Sequence, residues 1–307
     1  MEASMVKQYN IVECKLTECV DEKSSVSIYI NPDAEEKRIL IEQFKLDEHT
    51  LNSALDPNEL ARIETEPNHV AIILKVPKSY KPEDGLEFTV TSIGMFLFEE
   101  SLIIVMADYN EMLDNRQFSK VTHIAEVMLK IINQSIQHFR SHLLVVDKVS
   151  EELADRISPS MENKALLQLF TLEKSLVYYL NGITSNGALM RRIKNQSTRL
   201  RFTQEDGELL DDIIIENNQC FKQAEILSNI LSSMMDARAS VVNNNLNILM
   251  KRLNIITIGI MVPTLVVSVF SMNVAMPLQK HPMAFWLILS IALISMLGVF
   301  SFWRYKK

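Results

Sequence analysis

A line of oxygen-bearing side chains runs through an otherwise apolar segment near the end of the chain. Alternating steps of four and three residues from Asp236 reach Ser240, Asn243, Asn247, Met250, Asn254, Thr257, Met261, Thr264 and Ser268. Such positions share one face of a helix. Only Met250 and Met261 in the series are apolar, whereas the remaining positions from 253 to 270 are mostly Ile, Leu, Val and Met. No charge occurs from Leu253 to Gln279 or from Pro282 to Trp303, and each stretch exceeds the roughly 20 residues with which a helix crosses a bilayer. A polar group in hydrocarbon is costly unless it faces protein or water. Ser, Thr and Asn can simply glue membrane helices together. Here the line is continuous across the whole span and has an acid at its approach, which favours the wall of a water-containing pathway.

The elements that must position this line can be read backwards along the chain. A helical pattern starts near Gln204-Glu205-Asp206 and meets no proline until Pro263. Along it Ile213, Cys220, Leu227, Met234, Val241 and Ile248 recur every seven residues, with Ala224 and Leu231 on the same face. A helix of about 65 residues spans nearly 100 Å. Sustained seven-residue spacing implies supercoiling against copies or neighbours, because a straight helix drifts by about 20° per heptad. One stripe cannot surround a pathway, so a ring of identical subunits is required.

Upstream, helical patterns run over 119–157 and 161–196, broken at Ser158-Pro159-Ser160. Proline stops the first and serine can cap the second, giving an antiparallel hairpin. The first 120 residues or so mix signals. Strands are expected at Val26–Ile30, His69–Val76, Glu87–Phe98 and Leu102–Ala107, with a turn at Glu99-Glu100-Ser101. Helices are expected at Ala34–Lys45 and Asp47–Leu55, the latter with Asp47 as N-cap. The expected organisation is an α+β cytoplasmic domain over 1–120, a helical hairpin over 121–203 and the cytoplasmic stalk over 204–252. Membrane helices over 253–276 and 282–303 then flank an outer loop, 277–281, ahead of a basic tail, 304–307.

A formal charge of −7 in 307 residues, without a basic cluster interleaved with aromatics, argues against nucleic acid as a partner. Cys14, Cys19 and Cys220 read as reduced structural thiols. Neither a phosphate-cradling loop nor a dinucleotide fingerprint is found, no histidine pair is expected to form a catalytic metal centre, and no enzyme or organic cofactor is expected. The N-terminus lacks the apolar core of a secretory signal. Lys251 and Arg252 precede the first span, and Arg304, Lys306 and Lys307 follow the second. The positive-inside bias therefore places both termini in the cytoplasm of a protein that crosses the plasma membrane twice.

The run from Asn247 to Pro277, NILMKRLNIITIGIMVPTLVVSVFSMNVAMP, resembles the pore helix of the CorA-type divalent cation transporters, whose signature is Gly-Met-Asn followed shortly by Met-Pro. The resemblance rests on Asn247, Met250, Leu253, Pro263, Thr264, Met272, Asn273, Met276 and Pro277. Two departures stand out: Ser271 replaces the signature glycine, and the loop after Met276-Pro277 reads Leu278-Gln279-Lys280-His281 without the usual acid. The resemblance implies an α/β/α-sandwich cytoplasmic domain and a homopentamer with the first span inside and the second outside. It implies Mg2+ as the transported ion, with Co2+ or Ni2+ also possible cargo. Zinc or another transition metal in the same superfamily, or a non-conducting membrane scaffold, stay open as alternatives.

The resemblance also assigns roles. Ser271, Met272 and Asn273 would form the outer selectivity filter. Asn247, Asn254, Thr257, Thr264 and Ser268 would line the pore with neutral oxygens, and Met250, Leu253 and Met261 would close it by excluding water. Asp236 takes its role from its place on the stripe: it is either a solvated stalk acid or part of a charged ring that concentrates cations at the inner mouth. Asp212 would bind a regulatory cytoplasmic divalent ion between subunits. The usual acidic pair opposite reads Asn52-Ser53, so the bridge is either weakened or shifted to Asp56.

Overall fold

The computed structural model describes residues 5–19, 24–80, 85–108, 118, 120–155, 163–272 and 282–305. These form two compact units, 1–235 and 236–307. The first is built on a seven-stranded sheet: β1 (Met5–Val12), β2 (Lys15–Cys19), β3 (Val26–Ile30), β4 (Arg62–Thr65), β5 (Val70–Pro77), β6 (Val90–Leu97) and β7 (Leu102–Met106). Its order is β2-β1-β3-β7-β6-β5-β4. Only β3 and β7 pair in parallel, with Ile28 opposite Ile104, and the other neighbours are antiparallel.

Two short helices, α1 (Ala34–Glu42) and α2 (Glu48–Leu55), follow β3. Both starts are written in the sequence. The Asp33 carboxylate accepts from the Glu36 N–H while the Glu36 side chain accepts from the Asp33 N–H, a capping box. Asp47 accepts from the Thr50 N–H at 2.9 Å, satisfying an orphan donor of α2. Three long helices complete the architecture upstream of the second apolar span: α3 (Ile124–Asp155), α4 (Asn163–Asn195) and α5 (Gln204–Phe270).

Strand periodicity sorts the core into two layers. Val70, Ile72, Leu74 and Val76 of β5, with Leu102, Ile104 and Met106 of β7, join α3, α4 and the early part of α5 in the larger cluster. Ala71, Ile73, Ile103 and Val105 point the other way, onto Leu40, Leu51 and Ala54 of the short helices. The result is the expected α/β/α sandwich. Gly94 lets the layers close, since a Cβ there would collide with the Cβ of Ala54. Central strands covered on both faces read as continuous apolar runs, which is why they are visible in the sequence. The strands absent from the sequence reading, β1, β2 and β4, lie at the sheet's margins and carry Lys7, Gln8, Lys15, Glu18, Arg62 and Glu64. The β1–β2 turn places Glu13 and Cys14 at φ 50° and 61° without the Asn-Gly or Asp-Gly signal that such turns favour.

The heptad line divides along α5. Ile213, Cys220, Ala224, Leu227 and Leu231 are buried in their own unit's core, whereas Val241 and Ile248 are 47% and 41% exposed in the single chain. The break between the two long helical patterns, at 158–160, lies outside the described residues.

Candidate functional site

In the second unit, α5 continues from Asp236 to Phe270 and is followed by α6 (Ala284–Tyr305). Both helices are long and apolar enough to cross a membrane. At 100° per residue, Asn247, Met250, Asn254, Thr257, Met261, Thr264 and Ser268 fall within one face of α5, and all are exposed in the chain. Leu253 flanks them and is exposed as well. The diametrically opposite face carries Ile255, Gly259, Val262, Pro263, Val266 and Phe270, each buried or half-buried.

What covers that back face is α6. Gly259 is buried, and a Cβ there would stand 3.2 Å from the Phe300 ring. The less exposed positions of α6, Ala284, Ile288, Ala292, Ser295 and Val299, recur every three or four residues and so form a single face. The second apolar helix thus packs behind the oxygen-bearing line and leaves it open.

Hydrogen bonding fixes how the hydroxyls of the line are used. Thr257 Oγ1 donates to the Leu253 carbonyl at 2.9 Å and Thr264 Oγ1 to the Ile260 carbonyl at 2.6 Å. Each hydroxyl spends its proton on its own helix, which leaves oxygen lone pairs to accept from elsewhere. The water shell of a cation presents hydrogens outward, so these oxygens suit it. Nearer the start of the line, Ser240 Oγ donates to the Asp236 carbonyl at 3.2 Å, and Asp236 itself is exposed.

At the far end, Ser271 closes the helix. Its N–H donates to the carbonyls of Val267 and Ser268, at 3.1 and 3.2 Å. Its Oγ donates to Ser268 O at 2.9 Å. Ser271 does not have positive φ, so the backbone there does not need the conformational freedom of glycine. Met272 is exposed. Asn273, Met276, Pro277, Lys280 and His281 lie outside the described residues.

Asp56 and Asp212 sit in the first unit, and both are exposed. Asp56 follows α2, where its Oδ1 accepts from the Asn58 N–H at 2.8 Å and its carbonyl from Ser92 Oγ at 2.7 Å. Asp212 lies in the third turn of α5. Among the described residues no three His, Cys, Asp or Glu side chains gather into a metal site. Ser53, where an acid is usual in the resembling family, is buried and accepts from Arg62 Nη2 at 3.1 Å.

Two buried groups escaped the sequence reading. His138 and His142 stack edge to face: they are one turn apart on α3, with ring centroids 4.4 Å apart. Their four-residue spacing was the available signal. His142 Nδ1 meets Tyr179 Oη at 2.5 Å, and burial, aided by His138, pushes the His142 pKa down to about 4. Lys75, in the middle of β5, is 5% exposed. A lone lysine in an apolar strand gives no signal of its partners, which come from the loop after α2 and from β6.

Known proteins carry the same arrangement along nearly the whole chain. A family profile described as CorA-like Mg2+ transporter protein matches residues 28–305. The cobalt/magnesium transport protein CorA of Methanocaldococcus jannaschii is 25% identical over 315 aligned positions, covering 98% of this chain and 97% of the relative. The complete structure of the CorA magnesium transporter from the same organism superposes with a TM-score of 0.82 at 23% identity, covering 99% of this chain and 98% of that one. Full-length CmaX gives a TM-score of 0.69 at 16% identity, covering 98% of this chain and 96% of that one. The ZntB cytoplasmic domain from Vibrio parahaemolyticus gives 0.60 at 13%, over 80% of this chain and all of that one. The structural likenesses speak for the fold; the profile, which takes in the sheet from within β3 to β7, the long helices and both apolar spans, speaks for descent. The chain belongs to the family of CorA-like Mg2+ transporter proteins.

Proposed function

We propose that this chain is one subunit of a homopentameric channel that passes divalent cations, Mg2+ foremost, across the plasma membrane, with both termini in the cytoplasm. The observation that carries this reading is the oxygen-bearing face of α5 lying opposite the face covered by α6. Five such faces turned toward a common axis would enclose a polar pathway, with α6 toward lipid. Descent from a family of Mg2+ transporters supports the cargo, as does the printed name of the M. jannaschii relative, which covers both cobalt and magnesium.

The chemistry suits Mg2+. This ion prefers octahedral oxygen coordination and gives up water reluctantly, so a pathway should touch the hydrated ion rather than strip it. Rings of Asn247, Asn254, Thr257, Thr264 and Ser268 supply neutral oxygens that hold the hydration shell loosely enough to release it. Met250, Leu253 and Met261 form apolar rings that close the path by excluding water. Asp236 gathers cations at the inner mouth. Ser271, Met272 and Asn273 form the outer filter, where Asn273 presents amide oxygens. Asp56 and Asp212 are the acids through which cytoplasmic Mg2+ bridges neighbouring subunits and holds the channel closed.

Reconstitution into liposomes tests the reading. Mg2+ enters saturably, and internal Mg2+ blocks entry; Asn273→Ala abolishes flux while the oligomer survives. Competition among Mg2+, Co2+, Ni2+ and Zn2+ in that assay ranks the cargo. No flux of any divalent ion would overturn the proposal in favour of a scaffold, and unchanged flux in Asn273→Ala would remove that residue from the filter.

A further inference from the structure

A cavity of about 480 Å3 opens in the first unit between the loop after α2, the neighbouring ends of β5 and β6, and α4. Its volume falls in the range of small-molecule sites, roughly 300–1,000 Å3. Leu60, Val90 and Tyr178 give it apolar and aromatic wall, Asn181 and Thr91 add polar groups, and Lys75 contributes the buried base. Leu60 and Tyr178 are 56% and 42% exposed, so the cavity is reachable from solvent.

The charges around it do not cancel evenly. Asp108 pairs with Lys78 at 3.0 Å and Glu87 with Lys174 at 3.0 Å, while Glu59 shares Arg62 with Glu64. Every acid of the wall thus has a cationic partner, though Arg62 is divided between two. Lys75 has neutral partners instead: Nζ donates to the Pro57 carbonyl at 2.6 Å and to Ser92 Oγ at 3.0 Å. An ammonium carries three hydrogens, so one is left over. The Asp56 and Glu59 carboxylates influence Lys75 from a distance, and neither forms an ion pair with it among the described residues.

We infer that this cavity is a binding site for a small organic anion, a carboxylate or phosphate monoester with a flat apolar body, whose head takes the remaining hydrogen of Lys75 and whose body lies along Tyr178 and Leu60. A buried ammonium whose hydrogen bonds go to neutral groups, with Asp56 and Glu59 acting on it only from a distance, keeps a donor for an anionic ligand in preference to a cationic one. The polar wall groups orient it, and the planar ring of Tyr178 offers a stacking surface. Burial lowers the Lys75 pKa to about 8, so the ammonium is largely charged at neutral pH and discharges in mild alkali. The same Nζ holds the Pro57 carbonyl, and Asp56 is the next residue back, so an occupant is felt by that loop.

Titration of the full-length protein in detergent tests the inference, with phenyl phosphate and benzoate as separate probes and benzyl alcohol as the neutral control. Calorimetry should show saturable binding of at least one anion, and comparison of the two identifies the preferred head group. Lys75→Met should weaken binding at least tenfold and Tyr178→Ala a few-fold. Affinity should fall at least tenfold between about pH 7 and about pH 9.5, as the ammonium loses its proton. If Lys75→Met does not fold, Tyr178→Ala on the exposed wall and the pH series decide. Absence of saturable binding by either anion, equal binding of benzyl alcohol, or affinity indifferent to Tyr178→Ala and to pH would overturn the site. Ion flux plays no part in the readout, so failure here leaves the channel reading standing.

Discussion

The two parts of α5 share one helix and one apolar repeat, yet they meet different surroundings. Up to Leu231 the repeat is consumed inside its own unit, where Ile213, Leu227 and Leu231 are 1%, 5% and 1% exposed. Beyond Asp236 the helix leaves Val242, Leu246, Leu249 and Leu253 open, together with the whole oxygen-bearing line. An apolar position is thus a core position only if its own chain supplies the cover; otherwise it waits for lipid or another copy. The drift of about 20° per heptad adds a second lesson. The line that starts at Ile213 reaches Ile255 six heptads on, rotated by about 120° on an ideal helix, and so arrives on the face that α6 covers. One sequence rhythm serves two packings because an α-helix does not repeat in seven.

The sharpest way to break this comparison is to place the same charge in both parts. Leu231→Asp buries an unpaired carboxylate and should cost about 3 kcal/mol or more, visible as a large fall in the thermal midpoint and as aggregation. Leu249→Asp, at a position 57% exposed in the single chain, should leave that midpoint nearly unchanged and disperse the oligomer, as read by light scattering. Equal unfolding in both variants would mean that the later part of α5 is core of its own chain after all.

Acid should separate the units next. The folded-state pKa of His142 lies near 4, below its ordinary 6.5, because burial disfavours the imidazolium. The unfolded chain therefore binds the extra proton first, and stability present above about pH 6.5 is lost as pH falls toward 4. The loss is up to about 3 kcal/mol. Unfolding midpoints between about pH 7 and about pH 4 should show it in the wild type, and His142→Leu should flatten the curve. An unchanged slope in that variant would assign the acid sensitivity elsewhere.

The smallest effect sharpens the comparison within the membrane segment itself. Gly259→Leu drives a side chain into Phe300 and should cost roughly 1–3 kcal/mol of helix packing, with flux lost and restored in part by Phe300→Ala. Thr257→Val, on the opposite face, removes a hydroxyl worth about 1 kcal/mol. It should lower Mg2+ flux a few-fold without disturbing the Gly259–Phe300 contact, which a disulfide trap between neighbouring cysteine substitutions can report. Restoration of Thr257→Val by Phe300→Ala would contradict the assignment of opposite roles to the two faces.

Much of the scaffold was legible because its signals are local. Runs rich in β-branched and aromatic residues marked β3, β5, β6 and β7, and the Asp47 cap marked the start of α2. The marginal strands were not legible, because their largely half-buried or exposed side chains leave them free to be polar. The contacts of Lys75 and the His142–Tyr179 bond were hidden for another reason. Pro57 and Ser92 in the one case and Tyr179 in the other are all distant along the chain.

The sequence by itself determined that two uncharged spans end the chain, that one carries a polar line, and that this line follows the helical repeat, since hydropathy and periodicity are properties of neighbouring residues. Tertiary structure decided which face of that helix is spent and which is left. Gly259 accepts Phe300 only because α6 returns along that side, and no local pattern fixes the direction of return. It likewise decided that the early heptads are core and that a buried lysine opens onto a cavity. Those outcomes depend on surfaces brought together from far apart, where close packing rather than sequence proximity sets the neighbours.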